Sequence, residues 1–383
     1  MQNVDFENIR PFNDSEAGPA SCDLAEKLDW KALLTPLIGE ENAREIAEGM
    51  CSVDSIQDFQ DELAFPFLEA LIESTTDGVS LGFSDGISEA DLENPTLHLT
   101  NHRDIVLDPS LVNVARMGSG FPSTEIGIGD NLLSKKWVED LVRLNRCFIV
   151  KRGGGPRERW ESSLLVASYI RHVVGEGNSV WLAQKEGRAK DGIDLTSPAL
   201  IRMLISEGGK NAWESLNVMP VSISYEWDPC DAMKVKELIK VREKGKYVKA
   251  DGEDEMSMAL GLTGWKGRIH LEFCNIIPWK EIEGERTERV IASLVDDAIY
   301  GGYKIWPNQV LAAKHLGITD LIVCSDEVEV TSDDEVLFQK RLDEVVNQVG
   351  RDVGTREEVM RTWCEIMMQP LKAKCGLVNS HTF

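Results

Sequence analysis

Three short stretches of this 383-residue chain concentrate residues able to do chemistry. The first is Asn101-His102-Arg103-Asp104-Ile105-Val106-Leu107-Asp108-Pro109, which follows the alternating, β-rich run 96–100. A histidine just past a buried strand is well placed, because α/β enzymes gather reactive groups where strands end. A nearby aspartate can fix the imidazole tautomer and stabilise its charged form. Such a histidine can take the proton of a hydroxyl as that hydroxyl attacks a carbonyl. Asp108-Pro109 is also a helix-start signal, with Asp as N-cap and Pro at the first helical position. Asp108 could therefore be a cap alone, and Asp104 is the rival partner for His102.

The second stretch, Lys151-Arg152-Gly153-Gly154-Gly155-Pro156-Arg157-Glu158-Arg159, sets four cations within nine residues around a glycine turn. Glycine lets backbone approach a ligand closely. A helix starting near Pro156 would add its free N–H groups to the guanidiniums and favour an anion such as phosphate. The third stretch, Lys185-Glu186-Gly187-Arg188-Ala189-Lys190-Asp191-Gly192, again places charges and glycines after an apolar run. Glu186, between cations, can hold an arginine in place or orient an acceptor. For both stretches a solvated charged loop is the plainer alternative. Gly153–Gly155 matches neither the dinucleotide fingerprint nor the Walker phosphate loop.

The elements that must position these stretches show a clear alternation. Short apolar runs at 96–100, 145–151, 179–184, 217–225 and 267–274 predict strands buried in a sheet. Segments 109–117, 134–144, 157–174 and 197–206 predict helices between them. The alternation predicts an α/β domain: a central mixed, mostly parallel sheet flanked by helices, with an N-terminal helical segment and C-terminal helices. Residues 1–20 suggest an irregular arm and 24–71 several helices. Residues 75–91 suggest a Gly- and Ser-containing connector, and 240–263 a charged, exposed excursion. Amphipathic helices are predicted at 285–300, 307–316, 335–349 and 356–371. The expected divisions are an arm with a helical segment (1–94), an α/β core (95–280) and a C-terminal helical region packing on it (281–383).

Composition narrows the partners. A formal net charge of -24 repels nucleic acid and bare anionic lipid, so no nucleic-acid role is expected. No apolar run reaches the roughly 20 residues a membrane helix needs. The acidic, polar N-terminus does not resemble a secretory signal. The eight cysteines, at 22, 51, 147, 230, 274, 324, 364 and 375, form no CxxC pair. They are expected to be reduced, mostly buried thiols in the cytosol, and Cys147 to be core.

Taken in order, these stretches resemble the glycerophosphate and lysophosphatidate acyltransferase family. NHRDIVLDP (101–109) looks like the family's His-(four residues)-Asp block, and FIVKR (148–152) like its second block, which ends in a basic residue. QKEGRAKDG (184–192) looks like the Glu-Gly block, and VMPVSISYE (218–226) like the block with a Val-Pro-Val core. GIGDNLLSKKWVEDLVRLN (127–145) looks like the usual link between the first two blocks. The resemblance covers about residues 95–280.

It implies that His102 is the general base and that Asp108, or its rival Asp104, orients it. Arg152, supported by Lys151, would hold an acceptor phosphate. Glu186 and Gly187 would shape the acceptor site, with Arg188 a second phosphate contact. Pro220 would shape a wall of the fourth block. The implied reaction is direct attack of a hydroxyl on the thioester of acyl-CoA or acyl carrier protein, with no metal or other cofactor. The implied acceptor is a phosphorylated glycerol or a lysophospholipid. The implied place is the cytoplasm, with peripheral contact at the inner face of the cell membrane. Two departures stand out: five residues separate His102 from Asp108 where the family has four, and Lys185 stands where the family has Pro or another non-basic residue. The alternatives are a non-catalytic acyl- or lipid-binding protein on the same scaffold and a His-dependent thioesterase.

Overall fold

Seven short runs pair into one sheet in the computed structural model, which describes residues 5–133, 135–318, 320–321 and 328–378. The strands are β1 (Val79–Phe83), β2 (Leu97–Thr100), β3 (Glu125–Gly129), β4 (Cys147–Val150), β5 (Val180–Ala183), β6 (Met219–Tyr225) and β7 (Ile269–Phe273). Their order is β1-β7-β6-β2-β5-β3-β4. Neighbours run parallel except β6 and β7, which are antiparallel. The fold is thus α/β with a mixed, mostly parallel sheet, as the alternation predicts.

Five strands fall on predicted runs, and two do not. Each of the latter carries a glycine where a side chain must pass. A Cβ on Gly82 of β1 would lie 1.9 Å from the Glu272 carboxylate, and one on Gly127 of β3 would lie 2.3 Å from Leu182. Interior glycines weaken the strand signal, so residues 75–91 are not merely a connector.

Helices surround the sheet. The first are α1 (Asp14–Lys27), α2 (Trp30–Ile38), α3 (Glu40–Gly49), α4 (Ile56–Asp58) and α5 (Phe65–Thr75). The N-terminal arm is shorter than predicted because Asn13 and Glu16 form a capping box, in which Asn13 N–H donates to Glu16 at 2.8 Å. There follow α6 (Leu107–Gly118), α7 (Lys136–Leu144), α8 (Pro156–Gly175), α9 (Pro198–Leu204) and α10 (Lys210–Glu214). Ser134, the predicted start of α7, lies outside the described residues. Next come α11 (Asp231–Lys244), α12 (Glu253–Thr263), α13 (Thr287–Gly302) and α14 (Pro307–His315). The predicted excursion at 240–263 is therefore mostly helical. Glu253, Asp254 and Glu255 crowd the first turn of α12, where the helix dipole favours them. The chain ends in helices Ser332–Val349, Arg356–Met367 and Gln369–Lys374.

Both sheet faces are buried. On β5, Trp181 packs with α6 and the N-terminal helices. Val180 and Leu182, on the opposite face, pack with α8, α9 and α13. A third core joins α11, α14 and the C-terminal helices. The β4 edge is covered by the N-terminal arm, since Ile149 N–H donates to the Ile9 carbonyl at 2.8 Å. No helix among the described residues is long and apolar enough to cross a membrane.

Cys22 and Cys51 depart from the expectation of reduced thiols. Cys22 in α1 and Cys51 in the turn after α3 form a disulfide across a sequence separation of 29. Helix packing brings them together, and no spacing motif announces it. Cys147, Cys230, Cys274 and Cys364 are free thiols, and Cys324 lies outside the described residues. Closing a loop of that length restricts the unfolded chain by about 3–4 kcal/mol. Cys22→Ser is expected to lower the urea midpoint of the N-terminal helices, and dithiothreitol to do the same to wild type but not to the variant. Equal dithiothreitol sensitivity in both proteins would count against the bond.

Candidate functional site

The C-terminal ends of β2, β4, β5 and β6 point to one edge of the sheet, because these strands run parallel in the register β6-β2-β5-β3-β4. The three polar stretches all begin there. The His102 loop leaves β2 under tight backbone control. Asn101, fully buried, donates from Nδ2 to the Ile223 carbonyl at 2.9 Å, and its Oδ1 accepts the Ile223 N–H at 2.8 Å. The side chain thereby extends the β2–β6 ladder past Thr100. The next peptides are pinned as well. Ala189 N–H donates to the His102 carbonyl at 2.9 Å, and Lys234 Nζ donates to the Arg103 carbonyl at 3.1 Å.

His102 Nδ1 and Asp108 Oδ2 are 2.9 Å apart. A carboxylate only accepts, so Nδ1 carries the proton and Nε2 of the neutral ring is free to accept one. The side chain of His102 is 12% exposed and that of Asp108 0%, so the ring lies at the rim of a site whose carboxylate is sealed. Asp108 Oδ2 also accepts the N–H groups of Arg103 at 2.7 Å and Asp104 at 3.0 Å. Its Oδ1 accepts the Tyr225 hydroxyl at 2.9 Å. Burial, then the Asp108 charge, holds the Tyr225 phenol well above its ordinary pKa.

The structure separates the roles of the two aspartates. Asp104 Oδ1 accepts the N–H groups of Val106 at 2.9 Å and Leu107 at 2.8 Å, so Asp104 ties down the start of α6. Asp108 lies inside the first turn rather than at the predicted cap, because α6 starts at Leu107. Pro109 is still tolerated, since the first N–H groups of a helix have no partner within it. The fifth residue between His102 and Asp108 is absorbed in the turn before α6, and the side chains meet despite it.

The basic stretches are brought to the site unequally. Lys151 and Arg152 lie in an exposed loop after β4. Arg152 N–H donates to Asp130 at 3.1 Å, and its guanidinium reaches across β3 to within 3.5 Å of Glu186. Gly129 makes that passage possible: a Cβ there would lie 2.5 Å from Arg152 Nε. Gly155 starts α8 as expected, with its N–H donating to Glu158 at 2.7 Å. Gly187 has a left-handed φ of 74°, which lets the third stretch turn back on itself.

Arg188, expected beside Arg152, is instead tucked under α12. It donates to Ser257 at 2.6 Å and lies 3.8 Å from Asp254. Lys185 turns inward as well, donating to the Ile193 carbonyl at 2.8 Å and lying 3.6 Å from Asp194. Pro220 sits beside Leu99 in the middle of the sheet, three residues before the His102 loop along β2 and so about 10 Å from it.

Sequence reasoning missed three contributors. Tyr225 ends a strand that was singled out for its proline. Asp194, fully buried, pairs with Arg103 at 3.1 Å and is 3.4 Å from the His102 N–H. Burial works against the Arg103 charge, but Asp194, Tyr303 and Asp228 together outweigh it, so the Arg103 pKa is raised. α12 packs on the loop: a Cβ on Gly261 would lie 2.2 Å from Asp104 Oδ2, so only glycine fits. Beneath it, buried Lys266 donates to the carbonyls of Leu262 at 3.1 Å and Gly264 at 2.6 Å, and burial pushes its pKa down to about 8. Cys147 is buried, and burial pushes its thiol up to about 12, far from a reactive thiolate. Among the described residues no three His, Cys, Asp or Glu side chains are grouped to hold a metal ion.

No family model matches this chain, and no curated protein matches its sequence. Among solved structures it is similar to the crystal structure of the 1-acyl-sn-glycerophosphate (LPA) acyltransferase, PlsC, from Thermotoga maritima. The identity is 10%, the alignment covers 74% of this chain and 94% of that one, and the TM-score is 0.32. A likeness of that size leaves the chemistry of this site to its own geometry.

Burial, then the Asp108 charge, raises the Asp104 pKa. Folded Asp104 therefore keeps its proton to higher pH than the unfolded chain does. Its charge weakens the fold as pH rises above the ordinary carboxyl value of about 4. Asparagine keeps the acceptor for both amides. Asp104→Asn is expected to be at least as stable as wild type at about pH 7, with the difference closing as pH falls toward about 4. Urea titrations across that range check it, and a deficit that widens with pH would refute it.

Proposed function

We propose that this chain is an acyltransferase that moves a fatty acyl group from acyl-CoA or acyl carrier protein to a hydroxyl of a glycerol-phosphate or lysophospholipid acceptor. The observation that carries this reading is the 2.9 Å contact of His102 Nδ1 with the sealed Asp108 carboxylate, at the sheet edge where Arg152 also arrives.

His102 Nε2 takes the acceptor hydroxyl's proton as that oxygen bonds to the thioester carbonyl carbon. Asp108 stabilises the imidazolium that forms. The tetrahedral intermediate then expels the thiolate, which takes the proton back from His102. The products are an ester and a free thiol, and no covalent acyl-enzyme is needed. A backbone N–H near His102 is the natural oxyanion donor.

Arg152 is the cation offered to an acceptor phosphate. Its partner Glu186 is 74% exposed at 3.5 Å, and exposed pairs of this kind contribute only about 0–1 kcal/mol. A phosphate with bidentate geometry would displace Glu186 readily. Arg188 contributes only if α12 gives it up. The acceptor's lipid implies peripheral contact with a membrane surface.

The test is thiol release from a long-chain acyl-CoA or acyl carrier protein, with glycerol 3-phosphate, lysophosphatidate or glycerol as acceptor. His102→Ala is expected to lower turnover by about 100- to 10,000-fold. Arg152→Ala is expected to raise KM for phosphorylated acceptors about tenfold or more while leaving glycerol unaffected. His102-dependent release without any acceptor would make the protein a thioesterase. Acyl-chain binding without turnover would make it a binding protein.

A further inference from the structure

Asp108 receives four donors, and they divide unequally. Oδ2 takes three, all from residues 102–104 of its own loop. Oδ1 takes one, the Tyr225 hydroxyl, from the end of β6. Without that hydroxyl Oδ1 has no donor among the described residues, and the carboxylate is free to pivot about the contacts on its other oxygen. Tyr225 is also the second of two ties from one strand. Ile223 fixes Asn101 at the start of the loop, and Tyr225 fixes Asp108 at its end. Side chains two apart on a strand share a face, but here one residue acts through its backbone and the other through its side chain. β6 thus grips both ends of the segment that carries His102.

We propose that Tyr225 is a positioning residue whose hydroxyl fixes the direction and charge of Asp108 and so sets the pH at which His102 acts as a base. The inference rests on the reading of His102 as the general base. A donor on Oδ1 draws negative charge away from the His102 side of the carboxylate. Asp108 then attracts the imidazolium less strongly, and His102 sheds its proton at lower pH. Burial, then the Asp108 charge, keeps the phenol protonated, so it remains a donor over the working range. The same hydrogen bond disfavours transfer of the proton from His102 to Asp108. Other charges face this cluster: Asp104 and Arg103 on the loop, Asp194 and Lys185 after β5, and Asp228 and Lys234 around the start of α11. None of them contacts the Tyr225 hydroxyl, so a change confined to that hydroxyl leaves their pairing in place.

Two substitutions with opposite expected signs test it. Tyr225→Phe keeps the ring and removes the donor. The acid limb of kcat/KM is expected to move up by about 0.5–1 pH unit, with kcat lower by about tenfold and both KM values within about twofold. Placing 3-fluorotyrosine at 225 alone makes the phenol a stronger donor, and the acid limb is expected to move down. An independent arm follows the His102 ring by 15N NMR titration, assigned with His102→Gln, and needs no turnover. If no acceptor is turned over but the ring titration moves with both substitutions, the transferase reading fails and the role of Tyr225 stands. If turnover depends on His102 but neither the limb nor the ring moves, the hydroxyl is structural and the proposal is overturned. Should Tyr225→Phe not fold, a ring titration unmoved by fluorotyrosine overturns the proposal by itself.

Discussion

A carboxylate sealed from water is tolerable only if donors surround it, because an unpaired buried charge costs several kcal/mol. Asp108 meets that condition by drawing donors from its own loop and from a strand over a hundred residues later. This requirement organises much of the site. The Arg103 and Asp104 peptides must point their N–H groups inward, which forces the tight turn before α6. Asp104 must then secure the start of α6 itself, since Asp108 is already engaged. The ends of β2 and β6 must lie level, which Asn101 ensures through two hydrogen bonds to Ile223.

A second layer of charge supports the first. Arg103, Asp194, Lys185, Lys234 and Asp228 make ion pairs behind the loop. Such pairs stabilise little on net once their desolvation is counted, but removing one partner leaves the other buried and uncompensated. They therefore act mainly to fix geometry. In a chain of net charge -24, these inward cations are unavailable to ligands, while Lys151 and Arg152 stand in the open. The cation count in a sequence thus overstates what a phosphate would meet.

Legibility followed signal strength. Strands buried on both faces, such as Val180–Ala183, were visible as apolar runs, and long amphipathic helices as periodic ones. β1 and β3 were hidden by Gly82 and Gly127, which yield space to neighbours far away in sequence. α12 was hidden by the charges at its start, and its fit depends on Gly261 facing Asp104. His102, Asp108 and Arg152 stood out as polar residues after strands. Whether Asp104 or Asp108 faced His102 turned on where α6 begins, which the Asp-Pro signal misplaced by two residues. Tyr225 and Asp194 carried no local pattern, since their partners lie in other strands and loops. The same holds for Cys22 and Cys51.

The contact between Ile149 and Ile9 has a bearing on how the molecule behaves in company. β4 lies at one end of the sheet, and a bare strand edge is a template for another chain. The arm around Ile9 occupies that template with its own backbone. Removing it would leave the His102–Asp108 pair, which follows β2 with β5 and β3 between it and β4, untouched at first and harm solubility instead. The first sign of its loss would be turbidity in a concentrated solution, not a disturbed His102–Asp108 pair.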